Sequence, residues 1–342
     1  MKVFFTVIGI LISWQTFSQT LKSPILDDYL KSNQSEIMGL KRGFDVKIMK
    51  DNQVLYRYQK GNINDDTPIL IASASKWLSA AVIMKLVDER KISLDDPLKK
   101  FFPNVDQAKA EITIRQLFSH TSGLPGKGTF ELVRMNRKSM AKQADEILGK
   151  DLDASPGTAF SYGGESMQIA GRIAEIVSKK DFETLFQEEI AKPLGMSKTT
   201  FSKNGKTPQV AGGATSTVND YLKFLEMLAN KGVYQQQRIL TEQAVAEMLA
   251  NQIGNHTIIY SPFTQYADLF SGEIKIKYGI GNWREENANG DLLDSSSPGA
   301  FGFSPWIDFQ HHYYGVFGAF KSMKSVFPVY VGFRDRLNAQ LK

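Results

Sequence analysis

The chain has 342 residues, of which 42% are hydrophobic; that is enough to bury a large core in one domain or two lobes, and it excludes disordered and fibrous classes. It contains no cysteine, which removes disulfides, thiolate catalysis and cysteine-ligated metals. The net charge of +5 comes from Lys and Arg scattered among Asp and Glu, so it makes a mixed surface and no nucleic-acid footprint.

Met1 and Lys2 precede an apolar run from Val3 to Trp14, the layout of a secretory signal and too short to span a bilayer comfortably. Ser18 after Phe17 places cleavage between Ser18 and Gln19. Residues 1–18 are then a leader, and 19–342 an exported, periplasmic or secreted protein with no stable membrane span. A membrane-anchored N-terminus is the alternative.

Ser23 to Leu40 predicts a short opening helix. From Asp45 to Tyr58, Val46 and Ile48 alternate with Lys47 and Lys50, the chain turns at Asp51-Asn52, and Val54, Tyr56 and Tyr58 resume the pattern of a β-hairpin. A helix follows through Ser73 to near Lys91, then a loop at Ser93-Leu-Asp-Asp-Pro97. Helices are expected at 113–119, 139–148, 165–179, 181–191, 218–231 and 241–252, with Asp181 and Thr217 as start signals and Gly149, Gly195 and Gly232 as stops. Beyond Tyr260 the segments 274–283, 300–308 and 312–320 are short, aromatic and glycine-rich, as antiparallel strands are, and 328–341 closes as a helix. The expected fold is α+β. One antiparallel sheet is built from both chain ends with flanking helices (about 41–95 and 260–342), and a mainly helical lobe (about 96–259) is inserted, leaving a cleft between them.

Ser73 and Lys76 put a hydroxyl and an amine three residues apart, hence neighbours on a helix face. A serine becomes a nucleophile when a base takes its proton, and a lysine serves as that base when burial lowers its pKa. Apolar residues from Ile69 to Ala72 and from Trp77 to Leu86 supply such burial. The same spacing recurs at Ser139 and Lys142 in a charged stretch with no apolar surroundings, and Ser73 taken alone also fits a helix N-cap followed by an exposed lysine. Three further segments can be read with Ser73. Phe160-Ser-Tyr-Gly-Gly164 offers the Tyr162 phenol as acid or base, or as a plug at the lobe boundary. His120-Thr-Ser-Gly-Leu-Pro125 suits a sharp turn, with His120 structural rather than catalytic. Ser295-Ser-Ser-Pro-Gly-Ala-Phe-Gly302 has small residues whose N–H groups can approach a ligand, or form a plain bulge. His120, His256, His311 and His312 lack metal-ligand spacing; the adjacent pair would point to opposite sides of a strand. The role of the acidic loop Asn62-Ile-Asn-Asp-Asp66 stays open.

From about Gly43 to Phe320 the chain resembles the serine β-lactamase and penicillin-binding-protein superfamily, and within it the class C-like branch. The resemblance is carried by Ser73-Ala-Ser-Lys76, Leu117-Phe-Ser-His-Thr-Ser-Gly-Leu-Pro125, Pro156-Gly-Thr-Ala-Phe-Ser-Tyr162 and Ala211-Gly-Gly-Ala-Thr-Ser-Thr-Val-Asn-Asp220. It implies Ser73 as acylated nucleophile, Lys76 as proton acceptor and Tyr162 as the group that protonates the leaving group and then activates water. The oxyanion hole would use the backbone N–H of Ser73 and of Ala300, on the strand entered from Ser297-Pro298-Gly299. Substrate would be bound around Gly164, Ser297, Pro298 and Gly299. No metal and no cofactor is implied. Two departures stand out: Gly164 replaces the family's asparagine and Ser297 its lysine or histidine, so recognition of a substrate carboxylate loses a charge-assisted bond. The expected activity is hydrolysis of a small ester or amide through an acyl-serine, with weak or no β-lactamase activity. The alternatives are a non-catalytic envelope protein that binds a muropeptide or partner, and a D,D-carboxypeptidase or transpeptidase on peptidoglycan peptides. Oligomeric state is not legible.

Overall fold

The structure is a computed structural model, and residues 20–126, 137–202, 205–270 and 273–341 are described. The predicted leader therefore lies outside the described residues. Among the described residues no helix is long and apolar enough to cross a membrane.

A seven-stranded antiparallel sheet forms the centre. Its strands are β1 (Gly43–Lys50), β2 (Gln53–Gly61), β3 (Lys275–Tyr278), β4 (Trp283–Glu286), β5 (Leu292–Ser296), β6 (Phe303–Asp308) and β7 (Tyr313–Ala319), in the spatial order β2-β1-β7-β6-β5-β4-β3. Both chain ends thus meet where β1 pairs β7, with Val46 opposite Phe317. Two-residue alternation decides the faces: Phe44, Val46, Ile48, Trp306 and Phe317 enter one core, while Phe303, Ile307, Tyr314 and Val316 enter another.

The first core is closed by α1 (Pro24–Ser32), α2 (Gln34–Ile37) and the final helix; Ser23 caps α1 through a bond from the Leu26 N–H. The second core holds α3 (Ser75–Asp88), α4 (Ile114–Phe118), α5 (Met140–Leu148), α6 (Glu165–Ser178), α7 (Phe182–Phe186), α8 (Val218–Ala229) and α9 (Glu242–Leu249). Thr113, Ser139, Asp181, Thr217 and Thr241 cap five of these with their side-chain oxygens. α3 is buried on every side from Ser75 to Met84, the state of a helix that runs through a core rather than over it.

The closing helix α10 (Met323–Leu341) starts before Pro328, which lies inside it. Arg334 clamps α10 to the sheet, donating to Glu285 at 2.7 Å and to Asp294 at 2.6 Å. Three strand expectations change. Segment 274–283 divides into β3 and β4 at a tight turn through Gly279 and Asn282. β5 was hidden because Leu292-Leu-Asp-Ser-Ser296 does not alternate. The expected strand 300–308 begins only at Phe303, because the Gly302 N–H closes a turn onto the Gly299 carbonyl at 2.8 Å. Ala300 is therefore in the turn before the strand, not on it. His311 and His312 likewise lie ahead of β7; His311 pairs with Asp308 at 2.9 Å. Asp65 and Asp66 of the acidic loop are engaged with Lys47, Arg57, Asn219 and Lys198.

Candidate active site

Ser73 sits in the short turn Ala72–Ala74 immediately before α3. Ala72 ahead of it has φ of +45°, a left-handed conformation that costs an alanine energy and turns the chain sharply into the helix. Ser73 makes no N-cap; Ala74 holds that position and contributes no side-chain bond. At the repeated spacing the outcome is the opposite. Ser139 does cap α5, accepting from the Lys142 N–H at 3.4 Å.

Lys76 Nζ lies 3.2 Å from Ser73 Oγ and donates to the Ala211 carbonyl at 2.7 Å. The residue is only 2% exposed, and its burial lowers the amine pKa to about 7. One N–H is thus held by a carbonyl, leaving the lone pair free to face the serine. The segment 210–214 is tied along α3 by further bonds: Ser79 Oγ donates to the Val210 carbonyl at 2.6 Å, and the Ala214 N–H donates to Ser75 Oγ at 3.0 Å. The Ala211-Gly-Gly run was noticed in the sequence, but its part as the acceptor that orients Lys76 was not.

Tyr162 follows the extended segment Ala159–Ser161, which pairs with Thr257–Tyr260; the Tyr162 N–H donates to the Tyr260 carbonyl at 2.9 Å. Its ring lies beneath Lys76 Nζ, 4.8 Å from the centroid. Burial pushes the phenol pKa up, opposed by hydrogen bonding with Ser73 and Trp283, so the group is a neutral phenol at neutral pH. Three aromatic rings brace it. Trp283 stacks at 5.0 Å, His120 lies at 4.7 Å and Tyr278 at 5.9 Å between centroids. His120 Nε2 is 3.2 Å from the Tyr278 hydroxyl, and burial drives the imidazole pKa well below its ordinary value. Sequence reasoning missed Tyr278 and Trp283. Their signal was the run Tyr278-Gly-Ile-Gly-Asn-Trp283, whose Gly281, at φ +80°, lets the backbone pass so close to α3 that a Cβ would lie 2.6 Å from the Lys76 carbonyl.

The turn from Ser297 to Gly302 closes the other side. Ser297 is 3% exposed and its hydroxyl donates to the Ser73 carbonyl at 3.1 Å. Pro298 and Gly299 are buried, and a Cβ on Gly299 would meet the Ile71 carbonyl oxygen at 2.1 Å. Ala300 is exposed at the tip, with the half-exposed Phe301 beside it. Gly164 is buried at the N-cap of α6, just before Glu165, where it offers only backbone. Ser73, Lys76, Tyr162 and Ser297 thus come together, with Ser73 the hub.

Residues 34–272, well over half of the chain, match the Beta-lactamase family. Protein flp of Staphylococcus aureus (strain MW2) is 30% identical over 174 residues, 47% of this chain and 35% of that protein, so the chain spans about a third of that relative's length. The crystal structure of a candidate beta-lactamase from Bacteroides dorei DSM 17855 is 35% identical, with a TM-score of 0.77 over 90% of this chain and 98% of that one. EstCE1, a hydrolase with promiscuous acyltransferase activity, has a TM-score of 0.73 over 91% of this chain and 97% of its own, but at 18% identity the likeness is one of fold. This chain belongs to the Beta-lactamase family.

Proposed function

We propose that the chain is an exported serine hydrolase of the class C-like branch that works through an acyl-serine on a small, neutral ester or amide. The observation that carries this reading is the buried Lys76 amine, 3.2 Å from Ser73 Oγ, with a pKa lowered to about 7. A binding protein has no use for an amine kept in so costly a place, which favours the enzyme over the non-catalytic alternative.

In this mechanism Lys76 takes the Ser73 proton as Oγ attacks the substrate carbonyl. The resulting oxyanion is held by the backbone N–H groups of Ser73 and Ala300. Tyr162, a neutral phenol, protonates the leaving group, and the Lys76 ammonium above its ring stabilises the phenolate left behind. That phenolate then draws a proton from water as its oxygen attacks the acyl-serine; the acyl–Oγ bond breaks, the Lys76 ammonium returns its proton to Ser73 Oγ, and the acid is released. Acyl transfer to another nucleophile in place of water would follow the same path; EstCE1, of like fold, is a hydrolase with promiscuous acyltransferase activity. Ser297 offers no cation, so a carboxylated β-lactam or peptide loses a charge-assisted bond that such substrates exploit.

The test is a panel of p-nitrophenyl esters and D-amino-acid amides assayed beside nitrocefin, with fluorophosphonate labelling and mass mapping. Turnover of neutral esters above nitrocefin and a mass gain on Ser73 are expected; Ser73→Ala loses both while staying folded. Full activity in Ser73→Ala refutes the assignment. A D-peptide preference with release of D-alanine would move the chain to the carboxypeptidases. Export is tested by N-terminal sequencing of the mature protein, expected to begin near Gln19.

A further inference from the structure

The two N–H groups assigned to the oxyanion come from separate parts of the chain. Ser73 is on the turn into α3, and Ala300 is on the turn between β5 and β6. Their relative position matters on the scale of a hydrogen bond, since a misplacement of ~1 Å can cost ~10²-fold in rate. Two contacts join the turns. One is the approach of Gly299 to the Ile71 carbonyl, which is contact without a bond. The other is the hydrogen bond from Ser297 Oγ to the Ser73 carbonyl at 3.1 Å.

That bond acts on the peptide group of the nucleophile itself. Ser73 follows the strained Ala72 and lies ahead of α3, and its carbonyl accepts from the Ser75 N–H two residues on rather than from the regular ladder of the helix. A buried donor that captures this carbonyl restrains the residue on both sides of its Cα. Ser297 is in turn fixed, because its own N–H donates to the Pro305 carbonyl at 3.2 Å and it lies two residues before Gly299. We propose that Ser297 is a positioning residue: its hydroxyl locks the Ser297–Gly302 turn onto the nucleophile turn and holds the two oxyanion donors in register. The residue at this place then contributes alignment of the transition state and no charge to the substrate. The inference rests on the reading of Ser73 as nucleophile.

The experiment compares wild type with Ser297→Ala, Ser297→Cys and Ser297→Thr, using p-nitrophenyl acetate for kcat and KM, a fluorophosphonate for the labelling rate of Ser73, and thermal melting. Cysteine keeps the shape of serine but is a weak donor, and it stands in for alanine should that variant not fold. Ala and Cys are expected to lower kcat and the labelling rate by roughly 10- to 100-fold, with KM within about twofold and little change in Tm. Thr, which keeps the hydroxyl, is expected to recover most of the rate. A kcat within twofold of wild type in Ala or Cys, or an equal loss in Thr at unchanged Tm, overturns the positioning role while Ser73 remains the nucleophile. A wild type that neither labels at Ser73 nor turns over any ester removes the hydrolase reading, and this inference with it.

Discussion

Lys76 Nζ stands 4.8 Å over the Tyr162 ring while lying 3.2 Å from Ser73 Oγ. Two forces compete on that amine. The ring face attracts an ammonium, an effect worth about 0.5–2 kcal/mol. Burial without a carboxylate partner disfavours the charge by more, and the pKa settles at about 7. The amine is therefore poised between base and acid near neutral pH, and the ring becomes a better partner once the amine has taken a proton.

The pH dependence of kcat/KM on a neutral ester should carry an acidic limb with a midpoint near 7, the pH at which Lys76 loses its proton in the free enzyme. Activity rises with pH through that point. A profile flat from pH 5 to 9 would remove Lys76 as the base.

The same burial taxes stability. With a folded pKa near 7 against an ordinary 10.5, the folded chain binds fewer protons than the unfolded one between those values, so the contribution of Lys76 to stability improves as pH rises from about 7 to 10.5 and is at its worst below 7. Lys76→Met keeps the stem and discards the amine. It should be inactive yet melt above wild type at pH 6, with the advantage shrinking toward pH 10. Calorimetry at pH 6, 8 and 10 reads this directly; an advantage that grows with pH contradicts it.

Tyr162→Phe retains the ring that packs on Trp283 and His120 and deletes only the phenol oxygen. A fall in kcat of about 10² or more is expected, with Tm nearly unchanged. Stopped-flow assays separate acylation from deacylation, and both should slow. A loss under threefold takes Tyr162 out of the mechanism.

Gly299→Ala would place a Cβ at 2.1 Å from a backbone oxygen of Ile71, where no side-chain rotation can relieve the clash. The turn must move, at a cost of about 1–3 kcal/mol in stability. Urea titration should show that loss, and ester turnover should fall further than stability does because Ala300 moves with the turn. Wild-type values of both would mean that the turn is not held against the nucleophile.

Much of the local structure was legible. Asp181 and Thr217 were read as helix starts and are N-caps, and the hairpin was read from the alternation of Val46, Ile48, Val54 and Tyr56. These signals are short-range, acting within one turn or one strand pair. β5 escaped because its buried polar residues find partners far along the chain, Asp294 with Arg334 of α10 and Ser295 with Asn282 in the turn before β4. Trp283 and Tyr278 escaped for a similar reason, since nothing near them in the chain says that Tyr162 lies alongside.

The order of the residues alone settled that a hydroxyl and an amine lie within one turn of each other at 73 and 76, that apolar neighbours surround them, and that strands at both ends would form one sheet. It settled this because helix and strand periodicities are properties of consecutive residues. Those apolar neighbours already set Ser73–Lys76 apart from Ser139–Lys142, which has the same spacing in a charged stretch. Only the folded chain laid the Ala211 carbonyl, the Tyr162 ring and the Ser297 hydroxyl around the first pair, from segments 86 to 224 residues distant. Removal from water is what changes the chemistry of an amine, and that depends on everything that packs over it.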